Sequence, residues 1–256
     1  MTDKPILYMP AMVRALIDRR KWQTRRVLKP QHLNNYSSTG RVVDYNGNGR
    51  LGLEFVHNER GLWDATTNPS GLSAWVVPFS YAPGDRLWVK ERWARVAVPG
   101  NIDPGEVVYA VEDTRYDYGG PWRSPLFMPR GASRLTCVVT DVRAQRIQDI
   151  SEEDARAEGC PYPPEWAGRY VDRDETARAW FKSLWNQING APSPRYGPRD
   201  AEGRKVISHY ESYPWAAGTR VETHRGKPHY IWGNPWVAAY GFDMHPCNID
   251  RMEVVA

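Results

Sequence analysis

Apolar residues recur along this chain with two different periods, and the changes of period mark the elements. Over residues 10–19, Met12, Val13, Leu16 and Ile17 form one stripe while Arg14, Asp18 and Arg19 face away, a spacing that predicts a short helix. Pro10 suits its first turn, where the missing amide proton costs nothing. Residues 6–8 read as a short strand entering that helix. In the run RLWVKERW, residues 86–93, the period falls to two: Leu87, Val89, Glu91 and Trp93 share one face, and Trp88, Lys90 and Arg92 the other. A carboxylate thus enters an apolar row, so Glu91 is expected either to pair with a cation or to stand at a cavity rim. Residues 107–112, 133–142, 236–242 and 249–255 are further strand candidates. Ser151 opens SEEDARAEG as a helix cap, with Asp154 at the reciprocal capping-box position and Gly159 as terminator, which leaves Glu158 at the helix end. Residues 175–188 form the clearest helix, with Trp180, Leu184, Trp185 and Ile188 directed to the core.

Two polar stretches interrupt these patterns, at about 34–75 and 189–233, and both read as long excursions from a single domain spanning residues 1–256. The first holds Gly47, Gly49 and Gly52 in G-x-G-x-x-G spacing, but residues 51–56 continue as a strand-like run after an Asn-Gly turn. A β-hairpin therefore explains the glycines better than a dinucleotide fingerprint, which needs a helix there. The second is rich in Tyr, Arg and His, a mixture that suits base stacking and phosphate contact as well as an ordinary structured surface.

Composition narrows the classes. With 41% hydrophobic and 12% aromatic residues in 256, the chain is expected to fold and bury a core. The 34 basic and 30 acidic residues leave only +4, so an acidic ligand has to be attracted locally. Neither a secretory signal nor a membrane-length apolar run is found, and Cys137, Cys160 and Cys247 suit no disulfide framework, which predicts a cytoplasmic protein with no membrane partner. His245 and Cys247 lack a second ligand pair, and the zinc-deaminase, Walker and G-x-S-x-G patterns are missing, so no metal and no cofactor is expected.

The segment MVRALIDRRKWQTRRVLKPQ joins the first helix to a cationic turn. Together with PGDRLWVKERW, MPRGASRLTCVVTDVRAQRIQDISEEDARAEG, the helix ending in Trp185 and Asn186, and NPWVAAYGF, it resembles the ASCH family, especially its long phage and prophage members. The resemblance implies a PUA-like small mixed β-barrel with peripheral helices, an α+β fold, associated with RNA or modified nucleosides. One branch of that family looks like a metal-independent amidohydrolase that removes the acetyl group from 4-acetylcytidine with a lysine, a threonine and a glutamate. Those roles fall on Lys21, Thr24 and Glu158, although Asp18-Arg19-Arg20 and Trp22 depart from that branch's pattern.

Threonine is a useful nucleophile only when another group takes its proton, and neutral Lys21 can do so if burial penalises its ammonium form. Lys21 and Thr24 would share a face in a continued helical turn and face apart in a regular strand, so this chemistry calls for a turn between them. Glu158 can hold Lys21, return a proton or orient water. Trp22 can stack on a base, Arg25 and Arg26 can receive phosphate or orient a carbonyl, and Glu91 is a further substrate-binding candidate. The expected partner is a modified pyrimidine nucleoside or a base in single-stranded nucleic acid. Two other readings stay open: a non-catalytic RNA- or DNA-binding module, for which the same cationic turn suffices, and a phage structural or assembly protein, suggested by the two excursions.

Overall fold

The period-two runs pair into one central sheet, with their apolar residues turned toward the core. A computed structural model of the chain describes residues 2–29, 36–45, 50–57, 74–95, 107–112, 121–161 and 176–252. The chain begins with β1 (Asp3–Leu7), α1 (Pro10–Ile17) and β2 (Gln23–Val27), followed by β3 (Tyr36–Tyr45), β4 (Arg50–His57) and β5 (Ala74–Pro78). Next come β6 (Arg86–Lys90), β7 (Trp93–Arg95), β8 (Val107–Tyr109), β9 (Thr136–Arg146), α2 (Glu152–Ala157) and α3 (Ala177–Asn189). The last part is all strand: β10 (Ser193–Arg199), β11 (Lys205–Ser212), β12 (Thr219–His224), β13 (Lys227–Trp232) and β14 (Trp236–His245).

The central sheet has five strands in the order β1-β6-β9-β14-β2, parallel between β1 and β6 and antiparallel elsewhere. Its core contains Ile6, Leu16, Leu87, Val89, Val139 and Tyr240, with α1 covering it. The run 86–93 is split between β6 and the start of β7, yet its predicted apolar face is kept, since Leu87, Val89, Glu91 and Trp93 are all buried.

The closed barrel expected from the family resemblance is not formed. β1 and β2 are opposite edges of the central sheet and do not pair with each other, and the remaining strands make separate sheets, β10-β11-β13-β12, β3-β4-β5 and β7-β8. The architecture is α+β with several distinct mixed sheets. Closure needs the two edge strands to share a ladder, and here, among the described residues, β2 pairs only with β14.

Both excursions contain sheet. β3 and β4 pair antiparallel with Val42 opposite Leu53 and Val43 opposite Gly52, so Gly52 lies in a strand, while Gly47 and Gly49 fall outside the described residues. In the second excursion, His224 faces Lys227 across Arg225 and Gly226, both at positive φ, 51° and 71°. That pair of left-handed residues makes a two-residue hairpin turn of the primed type. Residues 249–251 form a 3-10 turn in place of the expected closing strand, and residues 253–256 lie outside the described set.

Candidate active site

α1 stops because the chain turns left-handed: Arg19 has φ 56°, and the amides of Arg20 and Lys21 both donate to the Ala15 carbonyl, at 2.8 and 3.1 Å. The next residues are captured by the end of α2. Trp22 N–H donates to the Ala157 carbonyl at 3.0 Å, and Lys21 forms an isolated antiparallel bridge with Glu158. Lys21 and Thr24 therefore do not sit on a continued helical turn. Lys21 lies in the linker, Thr24 on β2, and both side chains line one cavity with Glu158.

Gly159 makes this approach possible. It holds φ 101°, and a Cβ there would stand 2.8 Å from the Ala15 methyl and 3.3 Å from Lys21 Cβ. At the other end of α2 the Ser151 hydroxyl accepts from the Asp154 amide at 3.0 Å, as the capping signature predicts. The Asp154 carboxylate, however, is taken up by Arg25 at 2.8 Å and Arg143 at 2.6 Å.

The centre of the site is a buried charge network. Lys21 Nζ donates to Glu158 Oε2 at 2.8 Å and to the Glu158 carbonyl at 2.9 Å. Arg25 donates to Glu158 Oε1 at 2.9 Å, and its side chain is fully buried. Burial pulls the Lys21 pKa below the ordinary lysine value, and the facing Glu158 carboxylate only partly opposes this. Arg25 can balance Glu158 alone, with Arg143 left to Asp154, so loss of the lysine proton leaves two cations facing two anions. A neutral Lys21 is thus compatible with a satisfied network.

Tyr8 forms the wall beside these groups. Its ring centroid is 5.5 Å from Lys21 Nζ and 5.4 Å from the Arg26 guanidinium. Its hydroxyl is buried beside Thr24 without a hydrogen bond of ordinary geometry, and burial pushes its pKa well above the usual tyrosine value. The cavity encloses about 590 Å³ and is completed by Met12 of α1 and by Phe181, Leu184 and Ile188 of α3. That volume falls in the range of roughly 300–1,000 Å³ usual for small-molecule sites.

The other candidates are distributed as follows. Arg26 lines the cavity and donates to the Leu7 carbonyl at 3.0 Å. Arg25 lines it too, but its guanidinium is committed to Glu158 and Asp154. Trp22 is 48% exposed and is not part of the cavity wall. Glu91, 1% exposed, also lies apart from it and is held by Arg134 through two contacts of 3.0 and 3.2 Å. Of the two alternatives for Glu91, pairing with a cation is the one found; burial still raises its pKa despite Arg134. The α3 face differs as well: Ala177, Phe181 and Trp185 are buried, whereas Ile188 is 50% exposed at the cavity rim.

Tyr8, Asp154, Arg143, Lys29 and Arg92 are not expected at the site from sequence, where Asp154 reads only as part of a helix cap and Arg92 as part of a strand face. Asp154 had a usable signal, since it precedes Glu158 by four residues and so shares its side of α2. Arg143 had none, because its pairing depends on β9 passing next to α2. Among the described residues no group of His, Cys, Asp and Glu is arranged to hold a metal ion, and no helix is long and apolar enough to cross a membrane. Comparison of the chain with protein-family models, with curated proteins and with solved structures gives no significant match.

Proposed function

We propose that the chain hydrolyses an exocyclic acyl amide on a modified pyrimidine, as in 4-acetylcytidine, with Thr24 as nucleophile and Lys21 as its base. The observation that carries this reading is that Lys21, Thr24 and Glu158, distant in sequence, line one cavity in which burial favours the neutral amine. Thr24 Oγ1 attacks the acyl carbon while its proton passes to Lys21 Nζ, and the resulting ammonium is stabilised by Glu158 at 2.8 Å. Collapse breaks the C–N bond, and Lys21 delivers the proton to the departing amine. Water then attacks the acyl-threonine ester, Lys21 accepts its proton, and that proton returns to Thr24 as the carboxylic acid leaves. The apolar wall of Phe181, Leu184 and Ile188 suits the flat face of a base.

The test is to incubate the purified protein with a panel of acylated cytidines and follow product mass. Turnover is expected, reduced about 10²–10⁴-fold in Lys21→Ala and brought close to background in Thr24→Ala. Full activity in both variants removes these residues from the mechanism, and an inactive wild type across the panel removes the reaction.

A non-catalytic nucleic-acid module is the second reading, favoured by the exposed Tyr196, which has Lys205 Nζ 5.8 Å from its ring centre. It predicts salt-sensitive binding to single strands that persists in Thr24→Ala.

A further inference from the structure

The charges lining the cavity are strongly one-sided. Lys21, Arg25, Arg26, Lys29 and Arg92 face it, against Glu158 as its lining carboxylate. This is a local concentration that the overall charge of +4 does not foreshadow. The cations divide into two sets. Lys21 and Arg25 are buried and neutralised by Glu158 and Asp154. Arg26, Lys29 and Arg92 are half-buried or exposed at the mouth, and among the described residues none of them forms an ion pair with a carboxylate. Instead, aromatic rings steady them: Arg26 lies 5.4 Å from the Tyr8 centroid, Lys29 4.9 Å from Tyr213, and Arg92 6.0 Å from Trp122. Arg26 spends one amino group on the Leu7 carbonyl at 3.0 Å, and a cation packed on a ring still has further N–H donors to offer an anion.

We infer that the mouth of this cavity binds phosphate, so that the substrate enters as a nucleotide, its phosphate on Arg26, Lys29 and Arg92 and its base toward Lys21 and Thr24. This rests on the proposed hydrolysis for the identity of the base, but the phosphate site stands on the charge arrangement itself. It also moves the phosphate contact away from Arg25, whose guanidinium is occupied by two carboxylates. Tyr8 links the two ends, because both Lys21 and Arg26 lie against its ring.

The experiment compares kcat/KM for 4-acetylcytidine, its 5′-monophosphate and a short oligonucleotide carrying one acetylated cytosine. The proteins are wild type and the double variant Lys29→Gln/Arg92→Gln, with Arg26→Gln as a separate variant. Calorimetric titration with cytidine 5′-monophosphate at low and high salt accompanies the kinetics. The monophosphate is expected to exceed the nucleoside by at least about tenfold in kcat/KM, with that ratio falling toward one in the variants and in high salt. If the oligonucleotide surpasses the mononucleotide and the advantage disappears in the same variants, phosphate recognition holds with a polymer as its source. Equal kcat/KM for nucleoside and nucleotide in the wild type overturns the inference while leaving hydrolysis intact. If none of the three compounds is turned over, hydrolysis fails by itself. In that case, nucleotide binding that weakens in the variants and with salt upholds the phosphate site, and binding that is undetectable or indifferent to both overturns it.

Discussion

Glu158 holds the buried Lys21 and Arg25 side chains through separate carboxylate oxygens, and this double duty decides what its removal does. In Glu158→Gln the carboxylate that supports the Lys21 ammonium is lost, so the Lys21 pKa falls further below its already depressed value. A reaction that uses the neutral amine gains rate as pH rises through that pKa. The rising limb of the pH–rate profile is therefore expected below the ordinary lysine range in the wild type and displaced to still lower pH in Glu158→Gln. A profile that keeps its limb in the variant argues against Lys21 as the base. The same substitution removes one of the two carboxylates that hold the buried Arg25, which keeps Asp154, and a loss of about 1.5–3 kcal/mol is expected by denaturant unfolding.

At the level of elements, the linker from α1 to β2 is shaped by the helix end opposite it. Gly159 permits the backbones to meet, and Gly159→Ala forces both an unfavourable φ and an overlap with the Ala15 methyl. At least about 2 kcal/mol of stability is expected to be lost, measured by thermal unfolding. Under the proposed hydrolysis, turnover of an acylated cytidine is expected to fall as well, because Lys21 Cβ is the next atom met. Much of this arrangement could be read from sequence. Ser151 and Gly159 delimit α2, alternation buries Glu91, and the stripe of Met12, Val13 and Leu16 places α1 on the sheet. The strands of the second excursion were hidden for a physical reason. β12 exposes nearly all of its residues and β10 most of them, so no alternation of apolar and polar residues records them. The side chains of α3 were half legible: Trp185 is buried as expected, while Phe181 takes the place assigned to Ile188.

Over the whole molecule, the open sheet leaves each edge to be fastened in its own way. β1 is pinned by Asp85, whose carboxylate accepts from Thr2 N–H at 2.9 Å, from the Thr2 hydroxyl and Lys4 Nζ at 2.7 Å, and from the Ala82 amide at 3.1 Å. Burial works against ionisation of this group, but those donors outweigh it and hold its pKa at about 2, below the ordinary 3.8. A depressed folded-state pKa stabilises the fold above the unfolded value, and that contribution is lost as pH falls from about 4 through about 2. The loss amounts to at most roughly 2 kcal/mol. Asp85→Asn is therefore expected to lower stability near neutrality and to flatten this part of the acid-unfolding curve, followed by circular dichroism against pH. An unchanged acid limb would assign the pH dependence to other carboxylates.

The opposite edge, β2, is fastened by the last long strand of the chain: Thr24 pairs with Tyr240 and Val27 with Val237. More than two hundred residues separate these partners, so the loop between them has to be ordered before the ladder can close. During synthesis, the segment carrying Lys21 and Thr24 emerges early and waits without a sheet to join. β2 can therefore take its place on the sheet only after β14 has been made, so a chain lacking that strand also lacks the ladder that positions Thr24.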